Sequence, residues 1–450
     1  MSILRADLTQ NSHLTSVMLD FKRMIEEIQQ TRFENGLVVL TDRMSHVRSA
    51  TLGFFFRVGA RNEPVELNGI THFIEHTVFK GTKRRSALEI AIEQDRLGGN
   101  LDAFTTHEET GFAIKVIDDQ LEAAFDLLSD MLINPAFDEK ELESEQRVII
   151  EEMKMTDDSP EELLGELFSR DFFPNSGLGR SIAGTPESVR TFGHRSTCSY
   201  HAANFNSANL VLVAAGNVTH DRILDQAERL FSDGFSRTTE SRIRTQANTP
   251  ITASTINIHQ KSDLEQAHLI IGLPFIGAAD KRRYAADLLT NAIGGGMSSR
   301  LWQKIREERG LAYSVGASNA MYNDCGVFSV FAGTSPEQTG EVIDISIAEL
   351  SEIVRNGINE TELELAKDQA RASILMSLED SAARAASLAQ SEMVHGRQIP
   401  VEETLSNING VTVDDTNELA QEFFRTENVA FAVIGDLDQL TVDRDRLSIR

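Results

Sequence analysis

Cysteine is nearly missing: Cys198 and Cys325 are the only two in 450 residues. They lie far apart and outside any CxxC spacing, so neither a disulfide framework nor a thiolate metal cluster can be built from them. A reducing compartment, the cytoplasm, is the expected location. Nine prolines and no long low-complexity tract exclude fibrous repeats and wholesale disorder. Apolar runs such as LVLVAA and AFAVI fall far short of the ~18 residues a membrane span requires. The opening MSILRADLTQNSHLTSVMLDFKRM has no apolar stretch of signal-peptide type, and Asp7 and Asp20 fit a transit peptide poorly. Basic residues are also scarce, 43 Lys and Arg against 69 Asp and Glu. The resulting net charge of -26 argues against nucleic acid or an anionic membrane as partner. Cationic ligands remain permitted, and most of the charge reads as a solvated acidic surface.

What the chain does have is a 41% hydrophobic fraction, ample for large cores, and an internal duplication. FDEKELESEQRVIIEEMKMTDD from Phe137 aligns without gaps on INETELELAKDQARASILMSLED from Ile358. Both read as amphipathic helices after an Asp or Asn cap. Further on, NLVLVAAGNV from Asn209 and NVAFAVIGDL from Asn428 each read as a short strand ending in a Gly turn. GLVVLTDR, SATLGFFFRVG and GFAIKVI read as further strands of the first half. The expected fold class is α+β: two homologous α/β-sandwich domains, each a mixed sheet with helices packed on it. Residues 1–30 form an N-terminal extension in which DFKRMIEEIQQ reads as a short helix. The first domain is 31–240, a polar linker spans 241–252 with the boundary near 245, and the second domain is 253–450.

GITHFIEHTVFKGT, expected at the start of the second helix of the first half, holds His72, Glu75 and His76 in an HxxEH pattern. Positions i and i+4 lie one turn apart on one helix face, so both imidazoles can reach one metal ion, and Glu75 at i+3 shares that face. A carboxylate placed there, and not itself a ligand, suits the general base of a hydrolytic zinc site. Each of these residues also has an ordinary reading, as a half-buried helix histidine or a surface ion pair. A catalytic zinc takes three protein ligands, so one more is needed. On the helix from Glu139 to Thr156, at 100° per residue, Leu142, Val148, Ile149, Ile150 and Met153 form the apolar arc. Glu145 and Glu152 project within it and Glu151 falls outside. A carboxylate on a buried face is expensive unless a cation or hydrogen bonds compensate it. Glu152 is therefore the expected third ligand and Glu145 the residue that orients a histidine. The duplication supplies a control: in the gapless match Glu145 corresponds to Ala366 and Glu152 to Ser373, and the second half has no HxxEH.

HFIEH, then FKGT, a Gly-Gly turn, an ETGF strand and ExxxxxxEE together resemble the pitrilysin-type inverzincin metallopeptidases, in particular the short-chain branch that includes mitochondrial processing peptidase and its bacterial relatives. The likeness runs from about Arg32 to near the end of the chain. It implies one zinc ion per chain on His72, His76 and Glu152, water activation by Glu75, and support from Glu145. GGGMSSRLWQKIREERGLAYSVGAS resembles the family segment whose Arg and Tyr reach across to the substrate, here Arg306 and Tyr313. Such a pair suits a peptide carbonyl and its oxyanion; without the resemblance both read as ordinary surface or half-buried residues. GGNLDAFTTHEETGF resembles the edge strand to which substrate adds by main-chain pairing, with Asp102, Ala103 and Phe104 on the edge. Two positions depart from the family, which usually has Asn at Asp102 and Tyr at Phe112; the first removes an amide donor and adds charge.

The resulting expectation is a zinc endopeptidase of short or unfolded peptides, with a preference for basic ones. It carries both the zinc motif and the Arg/Tyr segment, and is expected as a homodimer enclosing a chamber. The rival readings are a non-catalytic scaffold subunit of the same family and a processing peptidase with one dedicated leader-peptide substrate.

Overall fold

The computed structural model describes residues 28–232 and 249–450. Most of the expected linker, its boundary near 245, and the expected N-terminal helix up to residue 27 lie outside the described residues. Where the expected helix enters them, the chain is strand instead. Ile28–Arg32 (β1) pairs antiparallel with Val38–Arg43 (β2), from Ile28 opposite Asp42 to Arg32 opposite Val38. The physical reason is the edge of β2, whose main-chain groups pair with β1, as a helix in this place could not. Arg32 then anchors β1 to Glu392 through two bonds of 2.8 and 2.6 Å.

The remaining strands of the first half are Ser49–Phe56 (β3), Asn100–Thr105 (β4), Thr110–Ile117 (β5) and Leu210–Gly216 (β6), in the order β1-β2-β6-β3-β5-β4. The second half has Ile256–Gln260 (β7), Ala267–Phe275 (β8), Ala312–Met321 (β9), Gly326–Thr334 (β10) and Ala430–Gly435 (β11), in the order β7-β11-β8-β10-β9. With β1 set aside the two sheets have the same order and directions. β2 and β6 run parallel, as do β7 and β11, and the other neighbours are antiparallel. The fold is mixed α+β, as expected. The two matched helices, Glu139–Asp158 and Glu360–Ser377, start at the expected caps: the Asp138 side chain accepts from Lys140 N, and Asn359 forms a capping box with Glu362.

One face of the first sheet packs on helices of its own half, with Leu52, Phe54, Phe56 and Ile114 against Phe73, Ile74 and Leu128. Its other face is covered from the second half. Helix Ser381–His395 sets Ala385, Leu388 and Ala389 on Val38, Leu40, Phe55, Val211 and Val213. The exchange is reciprocal. Helix Pro160–Phe172 of the first half lays Leu164, Phe168 and Phe172 on Val327, Ala430, Ala432 and Ile434 of the second sheet. Gly272 on β8 makes room for it, since a Cβ there would stand 2.2 Å from the Phe168 ring. Both crossing helices follow the matched long helices at the same spacing. A buried ion pair fixes the junction, Arg384 to Asp42 at 2.6 and 2.8 Å.

Candidate metal centre

The helix that carries the motif is short, Ile70–Thr77, and its start is held from outside. Gly69 occupies the N-cap position with φ of +96°, and a Cβ there would stand 2.5 Å from the Ala183 carbonyl oxygen, so glycine is required. Having no side chain, it cannot satisfy the free N–H groups of the first turn. The buried carboxylate of Glu63 does so, accepting from Gly69 N at 2.7 Å and Thr71 N at 2.8 Å. The helix buries Ile70, Phe73 and Ile74 in the core, which leaves His72, Glu75 and His76 along one margin. It is the first α-helix among the described residues, and most of the segment expected as a helix before it lies outside them.

The His72 and His76 rings are 4.5 Å apart, centroid to centroid. Helix Glu139–Asp158 brings Glu152 against them, with His72 Nε2 3.9 Å from Oε1 and His76 Nε2 3.5 Å from Oε2. Donor atoms of these three residues lie within 4.8 Å of one another, the one such group found among the described residues. Donors each ~2.1 Å from a tetrahedral ion stand roughly 3.4 Å apart, so the observed spacings are those of a slightly open site. Among the described residues Glu152 Oε2 is buried with no hydrogen-bond partner, a costly state for a carboxylate oxygen that a cation would relieve. Two imidazoles and one carboxylate are a donor set that suits zinc.

Glu145 is buried beneath His76. It accepts from Nδ1 at 3.0 Å and pairs through its other oxygen with Lys80 Nζ at 2.7 Å. This bond turns His76 Nε2 toward Glu152, the arrangement by which an outer carboxylate orients a metal-binding imidazole. Burial drives the His72 imidazole down to about 4, helped by the neighbouring His76, so it is neutral and able to bind metal. Burial acts the same way on His76, but the hydrogen bond to Glu145 and the charges of Glu152, Glu75 and Glu145 outweigh it and hold that imidazole above its ordinary value. Burial raises the Glu75 carboxyl despite the hydrogen bond it accepts from Thr105 Oγ1 at 2.6 Å.

His72, Glu75 and Glu152 open onto a cleft of about 440 Å³, walled by Phe104 and Thr105 on one side and by the loop Ser181–Pro186 on another. Asp157 and Glu166 extend its acidic lining. β4 is the last strand of the sheet and, among the described residues, pairs only with β5: Asp102 opposite Ala113, Ala103 opposite Phe112, Phe104 opposite Gly111. The three expected edge residues do lie on the sheet edge, and of them Phe104 lines the cleft. Asp102 accepts from Asn100 Nδ2 at 2.7 Å, and Phe112 is buried behind the strand. Phe104 lies across Gly111, where a Cβ would come within 2.5 Å of its ring.

Arg306 and Tyr313 lie elsewhere. Arg306 sits in a π-helical turn, Trp302–Glu307, stacked between the rings of Trp302 at 4.0 Å and Tyr313 at 4.6 Å, and donates to the Tyr313 carbonyl at 2.9 Å. Tyr313 is 79% exposed. Neither lines the cleft. Val148, expected in the apolar arc of its helix, is 47% exposed: at 100° per residue it stands 120° from Leu142, beyond Glu152 on the solvent side. Sequence reasoning missed Glu63, Lys80 and Thr105. Lys80 is one turn past His76 and Thr105 directly follows the expected edge residues, so both were within reach; Glu63 carried no signal.

A duplicated α+β fold with two histidines and a glutamate converging beside a buried carboxylate defines a class, the zinc proteases of inverted motif. Residues 38–186 match the family described as insulinase (peptidase family M16), and residues 195–370 match the family described as peptidase M16 inactive domain. The chain belongs to peptidase family M16. An uncharacterized zinc protease of Streptomyces coelicolor is 34% identical over 439 residues, covering 96% of this chain and 94% of that protein. One from Bacillus subtilis is 34% identical over 407 residues, covering 90% and 98%. In fold, the chain resembles a protease from Helicobacter pylori, with a TM-score of 0.84 at 21% identity over 90% of this chain and 99% of that one. It also resembles a peptidase M16 inactive domain from Pseudomonas fluorescens, with a TM-score of 0.85 at 16% identity over 92% and 100%.

Proposed function

We propose that this protein is a cytoplasmic zinc endopeptidase that hydrolyses short or unfolded peptides, with one zinc ion per chain held by His72, His76 and Glu152. The observation that carries the reading is the convergence of those three residues within 4.8 Å beside the buried carboxylate of Glu75. Zinc in such a site polarises the scissile carbonyl and lowers the pKa of the attacking water. Glu75 takes the proton from that water and returns it to the leaving amine. A carboxyl raised by burial is better matched to both transfers than an ordinary one. Substrate pairs with the free edge of β4 at Asp102, Ala103 and Phe104, a mode that reads extended backbone more than side chains.

Arg306 and Tyr313 hold the oxyanion in this reading. Their absence from the cleft of their own chain, with the exposure of Tyr313, supports a homodimer in which a second copy brings them to the site and the four halves enclose a chamber. The acidic cleft lining and the net charge of -26 support a preference for basic peptides.

The test is cleavage of a panel of short unstructured peptides, in matched basic and acidic sets at low salt, by the zinc-loaded protein and by Glu75→Gln. The wild type is expected to cut, basic peptides faster. Glu75→Gln should bind zinc and lose at least ~100-fold in rate. No cleavage of any peptide by the zinc-bound wild type would sink the general peptidase reading and favour a scaffold or a single dedicated substrate.

A further inference from the structure

The hydrogen bond between Thr105 and Glu75 links two elements to which the proposed reaction gives different tasks. Thr105 is the last residue of β4, the edge strand, and closes its ladder opposite Thr110. Thr110 is itself pinned, its hydroxyl donating to the Val58 carbonyl at 2.7 Å in the core. Alternation along the strand sends Leu101, Ala103 and Thr105 to one face, and Leu101 and Ala103 pack on the core that holds the motif helix. The Thr105 hydroxyl therefore meets Glu75 from a fixed piece of backbone, at 2.6 Å. It is the one hydrogen bond that the Glu75 carboxylate receives among the described residues, and it occupies Oε2 only.

We infer that Thr105 is a positioning residue: its hydroxyl holds Glu75 Oε2, leaves Oε1 as the proton acceptor, and ties the base to the same strand that the peptide joins. The inference rests on the peptidase reading and adds a consequence to it. A peptide that pairs with β4 is registered against backbone, and Glu75 is registered against the end of that backbone. The distance from the base to the scissile bond is then set by one strand whatever the side chains of the peptide. Rotation about the three side-chain bonds of Glu75 would otherwise let its carboxylate swing along the cleft, and a displacement of about 1 Å at a reacting group is enough to cost a large factor in rate.

The experiment compares zinc-loaded wild type, Thr105→Val and Thr105→Ser in steady-state cleavage of one unstructured peptide, with zinc content measured on each and crystal structures of wild type and Thr105→Val. Valine keeps the shape and β-propensity and removes the hydroxyl; serine keeps the hydroxyl. Thr105→Val is expected to lose about tenfold to a hundredfold in kcat, the range of a hydrogen bond to a charged group, with KM within twofold and zinc content at the wild-type level. Thr105→Ser should recover most of that loss, and the Glu75 carboxylate should leave its position in crystals of Thr105→Val. A wild-type kcat in Thr105→Val, a loss confined to KM or zinc content, or a Thr105→Ser as slow as the valine variant would overturn the inference. So would a Glu75 carboxylate that stays in place in Thr105→Val. That crystallographic comparison decides the matter even if the wild type cuts nothing, in which case it is the peptidase reading that has failed.

Discussion

The two halves of this chain share sheet order, strand directions and a capped long helix, yet at corresponding positions one has Glu145 and Glu152 and the other Ala366 and Ser373. Ala366 is buried in a packed core; Glu145, at the same place, is equally buried but spends its two oxygens on His76 and Lys80. The helix Arg283–Gly294, which packs on the long helix and edge strand of the second half as the motif helix does in the first, has no histidine. The fold is thus built once with the ionic cluster and once without it. The cluster is not what this architecture needs in order to form, and a buried carboxylate that folding does not need calls for another explanation.

The two halves also depend on each other through the helices they exchange. Because helix Ser381–His395 covers Val38, Leu40, Phe55, Val211 and Val213, a fragment ending near residue 240 should expose a large apolar face and give no cooperative thermal unfolding; a soluble, sharply melting fragment would contradict the exchange. Exchanging the distinguishing residues sharpens the contrast. Glu152→Ser, which installs the residue of the second half, should weaken zinc binding by more than about a hundredfold, beyond the loss typical of a supporting carboxylate, and leave the metal-free melting temperature nearly unchanged. The reverse exchange puts a charge into a packed apolar core: Ala366→Glu should destabilise the protein by about 3 kcal/mol in denaturant unfolding. A smaller effect comes from pH. His76 is held above its ordinary value, chiefly by Glu145 against the opposing effect of burial. A proton there competes with zinc, so zinc affinity should climb about tenfold per pH unit below the His76 pKa and level off above it. Competition titrations from pH 5 to 8 would show this, and an affinity flat across that range would remove His76 from the ligands.

Much of this was legible in the chain itself. The i, i+4 histidines declare a shared helix face, and the position of Glu152 within its helix separates it from Glu151, which is exposed and paired with Lys154. Four strands of the first half, β2, β3, β5 and β6, were readable as short apolar runs, and both helix caps from their capping residues, because those signals are local. What was not legible is where local signals end. An amphipathic helix announces that it will bury one face without naming the sheet, so nothing in Pro160–Phe172 or Ser381–His395 shows that they exchange halves. Ile28–Gln30 closes a segment that reads as a surface helix, yet it pairs with the edge that β2 offers. The separation of Arg306 and Tyr313 from the cleft is likewise a matter of tertiary placement, invisible to any motif.

Whether one half of a duplicated fold became a metal centre is decided by anomalous diffraction at the zinc edge from crystals of the zinc-loaded protein. One strong peak per chain is expected, about 2.0–2.2 Å from His72 Nε2, His76 Nε2 and a Glu152 oxygen, and none in the second half. A density map with no peak at that site, or with Glu145 as the ligand in place of Glu152, would contradict it.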